Sequence, residues 1–512
     1  MFFSYFGAVG FGWAQPVYAW VAYRFDAAVG DVWDVVLIVL VLHVGPTTAL
    51  WLGRLAAGRK GRVLDAVVYS AALLSVLRQL QLTHFAMTSR LAVTAQYAIV
   101  FAGAAVAILT IRVLRRHLSS FVFYLGILSL AFPGHFAWAY VRNAPVEAAR
   151  LAPASGSRGA SRPDRAVFIF VVDELSTNIL LNDASDIDGE AFPHLHRFSR
   201  EAVWFRQAIA NYYSTAYSFL SMFTGTFVHR LEKRSAPDFT SVGPQNLLSA
   251  LEGAGYRVHF YSRFLKCSSR VVRCLGYGRR LEMVSNVSAF VLSQHVPSVV
   301  SARLLPWLPA RVLRFEGDLL GRLGGGELSR PGEASILHLM VSHVPYVLSA
   351  DGVPVASGDF RPWPGADAER VLARYRAQVR YLDRQFGAFL DGLKAAGADR
   401  RSVIVLTSDH GTCWKPGCMG RLHVTAIEPS LARVPMMVRA PSLTAGLVEA
   451  DYQHIDFYST LLGLIREPPA LPLPARERPR WFFVNEHEAV RLGLPAKRIE
   501  VTGHLERLDG SP

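Results

Sequence analysis

Ser408-Asp-His-Gly411 follows an unbroken apolar run, Ser402-Val-Ile-Val-Leu-Thr407. An Asp-His pair released at the end of a buried strand sets a carboxylate oxygen beside an imidazole nitrogen. That donor pair suits a borderline divalent cation such as zinc or manganese. Two further stretches extend the set. Val167-Phe-Ile-Phe-Val-Val-Asp-Glu174 is another apolar strand ending in carboxylates, and Tyr213-Ser-Thr-Ala-Tyr-Ser-Phe-Leu-Ser-Met222 is a hydroxyl cluster opening a helix-like run. Carboxylate, hydroxyl, carboxylate and imidazole together make a four-ligand metal centre with a nucleophile among its ligands. Asp173 reads equally as a ligand to a second ion and as the carboxylate of a strand-end turn.

The elements that must position these groups alternate along the chain. Strands are predicted at 166–172, 256–261, 336–341 and 403–407, and helices at 192–203, 246–253 and 367–395. In the last helix Tyr375, Val379, Leu382, Phe386, Phe389 and Leu393 recur at spacings of four and three, an apolar stripe that faces a core. Arg374, Arg380 and Arg384 form its solvated face. Such alternation implies an α/β domain with a mainly parallel central sheet, whose ligand sites lie beyond the carboxyl ends of the strands. Glu174, His343 and Asp409 all fall just past strand ends.

A chain of 512 residues exceeds one compact unit. Its mean hydropathy of +0.24 is concentrated before residue 142. Apolar segments Phe6–Tyr23, Val35–Leu52, Val63–Thr83, Leu91–Ile111 and Leu118–Tyr140 approach the ~20 residues that cross a bilayer. They predict an N-terminal all-α transmembrane domain of about five helices. Arg54, Arg59, Lys60 and Arg62, and then Arg112, Arg115 and Arg116, mark cytoplasmic loops. The remainder would then be periplasmic or extracellular, on a multi-pass bacterial-type inner membrane protein. The first segment lacks a basic n-region and a small-residue cleavage site, so it reads as a retained span. The expected organisation is a transmembrane domain at 1–142, a linker at 143–165, a catalytic domain at 166–470 and a C-terminal extension at 471–512. Arg78, Gln79, Gln81 and His84 cluster at the outer end of the third span. They are either an interfacial anchor or a headgroup-binding rim with Arg78 as its cation.

The net charge of +14 comes without a basic run, which argues against a nucleic-acid partner and for an anionic membrane surface or phosphorylated lipid. The four cysteines form close pairs, Cys267/Cys274 and Cys413/Cys418. In the inferred oxidising compartment this spacing predicts two short-loop disulfides. A structural zinc site from Cys413, Cys418 and His423 is the rival, and it lacks a Cys-x-x-Cys knuckle.

These motifs resemble the alkaline phosphatase superfamily, and within it the membrane-anchored sulfatase-like group of phosphoethanolamine transferases and lipoteichoic acid synthases. Val171-Val-Asp-Glu-Leu-Ser176 resembles the first metal motif, which implies Glu174 as a ligand. Ser214-Thr-Ala-Tyr-Ser218 is similar to the nucleophile motif and implies Thr215 as both attacking hydroxyl and metal ligand. Ser408-Asp-His-Gly411 is similar to the second metal motif and implies Asp409 and His410. His338-Leu-Met-Val-Ser-His-Val-Pro-Tyr346 resembles the family's His-x-x-x-Ser-His-x-Pro stretch. With His423 it implies substrate contacts at His338, His343 and His423. The chain departs from the group at Asp173, commonly Gly there, and at Thr412, often Glu. It also lacks the Cys/Ser-x-Pro-x-Arg sequence of formylglycine sulfatases.

The resemblance implies a metal-dependent phosphotransferase. It would move a phospho-headgroup such as phosphoethanolamine or phosphoglycerol from a membrane phospholipid to an envelope lipid or glycan, through a phospho-threonine. The physical logic agrees, because a threonine hydroxyl ionises far above neutrality and needs a cation to favour its alkoxide. One divalent metal is expected, zinc ahead of manganese or magnesium, and a second is left open. The alternative is a sulfatase-like phosphodiesterase or sulfuric ester hydrolase with water as acceptor. A non-catalytic envelope assembly subunit is the third reading.

Overall fold

The computed structural model describes residues 2–10, 39–65, 123–135, 163–228, 246–262, 272–274, 307–355, 367–415, 418–420, 423–424, 428–466, 480–484 and 498–501, apart from isolated positions. The chain divides into two compact units, residues 1–148 with 276–301 and residues 149–275 with 302–512.

In the first unit, α1 (Phe2–Val9) and α2 (Gly45–Ala56) are the main described helices. The expected transmembrane domain is corrected here: among the described residues no helix is long and apolar enough to cross a membrane. Hydropathy counts apolar residues and misses what interrupts them. The second segment changes hydrogen-bond register in a π-helical turn at Leu40–Val44 before α2 opens on Gly45-Pro46. The third carries Asp65, which pairs with Arg54 at 2.9 Å and accepts the Tyr5 hydroxyl. Residues 91–111, most of 6–23 and 63–83, and the whole Arg78, Gln79, Gln81 and His84 cluster lie outside the described residues.

The second unit has the expected α/β form. Its main elements are β1 (Val167–Val172), α3 (Pro193–Glu201), β2 (Val203–Phe205), α4 (Thr215–Thr224), α5 (Leu247–Gly253), β3 (Arg257–Tyr261) and β4 (Val272–Cys274). Then follow α6 (Trp307–Leu323), β5 (Glu333–Leu339), α7 (Ala368–Ala395), β6 (Val403–Ser408), β7 (Met436–Arg439), β8 (Gly446–Val448) and α8 (Phe457–Leu464). They build an 8-stranded sheet in the order β8-β2-β7-β6-β1-β5-β3-β4. β6, β1, β5, β3 and β4 run parallel, and β7 joins β6 antiparallel. The three central strands are buried along their whole length, which is why β1 and β6 read as continuous apolar runs.

Helices cover both faces. On one, α7 sets Phe386 and Phe389 edge-on against Phe170, with Phe389 reaching Phe168 and Phe386 reaching Phe198 of α3. Asp383 of α7 also accepts the Leu195 and His194 amides at 2.7 and 3.3 Å, capping the first turn of α3. On the other face α4, α5 and α8 contribute Leu220, Phe223, Leu251 and Leu461 to the core. Register fixes the site: Val172 lies opposite both Leu339 and Ser408, so Asp173, Met340 and Asp409 leave the sheet at one level.

Candidate active site

β1 ends in a turn held from four sides. Asp173 N continues the ladder to Leu339 O at 2.8 Å, and then Glu174 takes a left-handed backbone with φ of 62°. A non-glycine residue seldom adopts that conformation. Glu174 N donates to Asp409 Oδ1 (3.2 Å), Leu175 N to Ser408 Oγ (3.0 Å), Tyr375 OH to Glu174 O (2.8 Å) and Ser342 Oγ to Asp173 O. The strain of such a residue, of order 1–3 kcal/mol, persists only where its surroundings over-determine it. The Asp-His-Gly turn after β6 is equally constrained. Gly411 N donates to Leu431 O at 2.7 Å, and a Cβ at Gly411 would lie 2.5 Å from Ser430 O. Only glycine fits there.

The two turns and the end of β5 bring carboxylates and imidazoles together. His338 Nε2 lies 3.2 Å from Asp173 Oδ2, and His410 Nε2 lies 3.7 Å from Asp173 Oδ1 and 3.3 Å from Asp409 Oδ2. His343 Nε2 stands 3.6 Å from Glu174 Oε1. Asp173, Glu174, His338, Asp409 and His410 are buried, whereas the His343 side chain is 14% exposed. The His343 Nδ1 is 2.7 Å from Val344 O; as donor to that carbonyl, it leaves the Nε2 lone pair aimed at the cluster. Burial pushes the Asp173 carboxyl up, but the imidazoles of His343, His338 and His410 outweigh it and hold it below the ordinary carboxylate range. Burial likewise pushes His338 down, and Asp173 and Asp409 more than offset this, so its pKa is raised.

Two triads offer ligand atoms within 4.8 Å of one another, Asp173 with Glu174 and His343, and Asp173 with His338 and Asp409. Donors about 2.0–2.1 Å from a tetrahedral ion stand roughly 3.3 Å apart. The nitrogen-to-oxygen distances of 3.2–3.7 Å match that edge better than a charge-assisted hydrogen bond of about 2.7–2.9 Å. Neither buried oxygen of Asp173 is satisfied by a hydrogen bond. The residues therefore fit a divalent cation.

Thr215 is the first residue of α4 and half-buried. The helix start is tied to the Asp409–His410 turn on both sides: the Tyr213 ring stacks 6.2 Å from the His410 ring, and Ser218 Oγ donates to Asp409 O. His423 lies on a small antiparallel sheet of Cys413–Lys415, Cys418–Gly420 and His423–Val424, opposite Met419; its side chain falls outside the described residues. Cys413 is buried and disulfide-bonded. The side chains of Cys274 and Cys418, with Cys267 and Arg78, also lie outside the described residues.

Sequence reasoning left Asp173 undecided, and the structure makes it the hub of both triads. It also read Tyr375 as one more member of an apolar stripe, although that hydroxyl reaches Glu174 O. Gln378 was passed over. Its Oε1 accepts the Val347 and Leu348 amides at 3.0 and 3.1 Å while its Nε2 donates to His343 O at 3.1 Å, which fixes the His343 loop. The signal in both cases was a polar group on the buried face of a long helix.

The Sulfatase family model matches residues 333–466, a span that holds His338, His343, Asp409 and His410. A protein named Sulfatase from Formosa agariphila is 31% identical over 97 residues, 19% of each chain. An Endo-4-O-sulfatase from Bacteroides thetaiotaomicron is 30% identical over 141 residues, 27% of this chain and 26% of that one. The chain thus matches about a fifth to a quarter of the length of these curated relatives. Among solved structures, the phosphonate monoester hydrolase of Agrobacterium radiobacter aligns with 65% of this chain and 83% of its own, at 15% identity and a TM-score of 0.47. The phosphonate monoester hydrolase of Silicibacter pomeroyi aligns with 65% and 77%, at 15% identity and a TM-score of 0.43. The likeness to the Sulfatase family is thus carried by one segment of the chain, residues 333–466.

Proposed function

We propose that the chain is a metal-dependent hydrolase of sulfuric or phosphoric esters. One observation carries the reading: a carboxylate and imidazole cluster at the carboxyl ends of β1, β5 and β6, whose His338, His343, Asp409 and His410 lie within the sulfatase-family segment. The curated relatives bear sulfatase names, and none supports transfer between lipids, so hydrolysis replaces phosphotransfer as the leading reading.

A divalent cation held by Asp173, Glu174 and His343, or by Asp173, His338 and Asp409, would supply charge neutralisation at the ester oxygens. The chain's own residues do the rest. The first amides of α4, which have no partner within the helix, face an incoming anion at Thr215. The Thr215 Oγ bond to sulfur or phosphorus forms as the ester bond breaks, and the hydroxyl proton leaves with the departing oxygen as free alcohol. Water then attacks the same centre, Oγ departs and regains a proton, and sulfate or phosphate is released from a monoester, or a phosphate monoester from a diester. His343, fixed by Val344 O and Gln378, and partly exposed, orients the ester at the mouth of the cluster.

The test is turnover of an aryl sulfate, an aryl phosphate and a phosphodiester by zinc- or manganese-loaded protein. Thr215→Ala should lower the rate by about 10³-fold or more while leaving the fold intact. No turnover of any ester by the loaded enzyme would sink the reading. Full activity of Thr215→Ala would shift the nucleophile to Ser214, since Ser218 is buried against Asp409 O.

A further inference from the structure

Two buried arginines from different parts of the chain meet at Gln207, and we propose that Arg480, together with Arg433, is a positioning residue for the Thr215 hydroxyl, acting through Gln207. The proposal rests on reading Thr215 as the hydrolase's nucleophile.

Residues 207–213 run towards Thr215 between two neighbouring segments. On one edge Val434 N donates to Ala208 O at 3.2 Å and Ala210 N to Ala432 O at 2.8 Å. On the other, Phe483 N donates to Asn211 O at 3.0 Å and Tyr213 N to Phe483 O at 2.8 Å. Tyr213 is thus pinned two residues before Thr215. A slip of one residue along these short ladders would carry Thr215 about 3.3 Å, enough to take its hydroxyl out of reach of an ester held at the carboxylate and imidazole cluster.

The arginines exclude that slip. Arg433 reaches in from the first neighbour, its Nη1 donating to Gln207 Oε1 at 2.9 Å. Arg480 reaches in from the second, its Nη1 donating to Gln207 O at 2.7 Å. Both edges are locked at one residue, and Gln207, Arg433 and Arg480 are all buried. The other arm of Arg480 meets the half-exposed Asp451 Oδ1 at 2.9 Å, so the planar fork is held at both ends. Apolar residues would hold these edges at a smaller desolvation cost; what two buried guanidiniums add is register.

Alternate carbonyls of residues 431–433 carry this register to the ligands. Ala432 O faces the segment that leads to Thr215, while Leu431 O accepts the Gly411 amide at 2.7 Å and Arg433 O accepts Thr177 N at 3.5 Å. The nucleophile's segment and both ligand-bearing turns are therefore measured from the same three residues. Loosening Gln207 changes the distance between Thr215 and the cluster without displacing a ligand.

The experiment compares zinc-loaded full-length wild type, Arg480→Met and Arg480→Lys in turnover of an aryl ester, with zinc affinity, urea stability and amide hydrogen exchange measured beside it. Methionine keeps the packing of the stem and removes every donor, whereas lysine keeps the charge and loses the fork. Arg480→Met should lower kcat about 10–100-fold with KM and zinc affinity at their wild-type values. Residues 208–218 should exchange faster in that variant while the Gly411 amide stays protected. Arg480→Lys should fall between it and wild type. Asp383→Ala, which loses the cap on α3, serves as the control: it should lose stability and keep wild-type kcat. Wild-type kcat in a folded Arg480→Met overturns the proposal, as does a raised KM with unchanged kcat, or an equal fall of kcat in Asp383→Ala. If Arg480→Met does not fold, Arg480→Lys decides, and wild-type kcat there overturns it. If wild type turns over no ester, exchange decides. Faster exchange of residues 208–218 in Arg480→Met then sinks the hydrolase and leaves the clamp on Thr215 standing, and unchanged exchange sinks the clamp.

Discussion

Tyr375→Phe isolates the device that holds Glu174. The Tyr375 hydroxyl donates to Glu174 O at 2.8 Å and receives the Ser176 amide at 3.4 Å. Burial pushes its pKa well above the usual phenol value, so it remains a donor at any working pH. Phenylalanine keeps the ring contacts with Tyr346 and Trp414 at 5.3 and 5.4 Å, and so removes little but the oxygen. Loss of one short buried hydrogen bond and one long one should destabilise the fold by about 1–3 kcal/mol. That loss is comparable to the strain of order 1–3 kcal/mol expected for a left-handed glutamate, so part of the Glu174 turn should relax. Metal affinity, read by competition with a chromophoric chelator, should fall about 10–100-fold, as for other outer-sphere partners of ligands. Urea unfolding of the stripped protein supplies the stability change separately. A variant that loses stability yet keeps wild-type metal affinity would refute the reasoning and leave Tyr375 a packing residue.

Asp383→Ala strips the cap from α3 and should lower stability by about 1–3 kcal/mol in urea unfolding, with metal content unchanged. Burial holds the His454 imidazole down at about 3, where its Nε2 shares a hydrogen bond with Thr407 Oγ1 at 2.8 Å. The unfolded chain takes up that proton near 6.5, so the contribution is complete above that pH and is lost progressively as pH falls from 6.5 towards 3. Between pH 7 and pH 5 wild type should therefore lose about 2 kcal/mol more stability than His454→Gln; equal losses would contradict the assignment.

β1 and β6 could be read from sequence because both faces of each are covered, so burial writes itself as an apolar run. β5 was harder. It was expected at 336–341 and runs from Glu333 to Leu339, because its polar residues find buried partners on other strands. Glu333 Oε2 meets His259 Nε2 of β3 at 2.6 Å and His338 meets Asp173 beyond β1. Strand neighbours are a property of topology, and no local window contains them. The transmembrane expectation failed for the converse reason: composition met the apolar criterion, while the π-helical turn at Leu40–Val44 and the Arg54–Asp65 pair are set by hydrogen bonding that hydropathy does not count.

The same logic explains why Asp173 could not be assigned from its neighbours. Side chains alternate across a sheet, and Val171, His338 and Thr407 lie in one row of β1, β5 and β6. Val171 belongs to the core under α4, and His338 meets Phe219 of that helix. Two residues further, the same face carries Asp173 and Asp409, so the ligands converge because three strands end in register beneath α4. α7 lies on the opposite face and reaches backbone carbonyls of the site, Tyr375 at Glu174 O and Gln378 at His343 O. The left-handed turn at Glu174 is where the chain passes between these two layers. Ligand identity is therefore set on one side of the sheet and ligand posture on the other, and substitutions on the α7 side should weaken metal binding without removing a ligand.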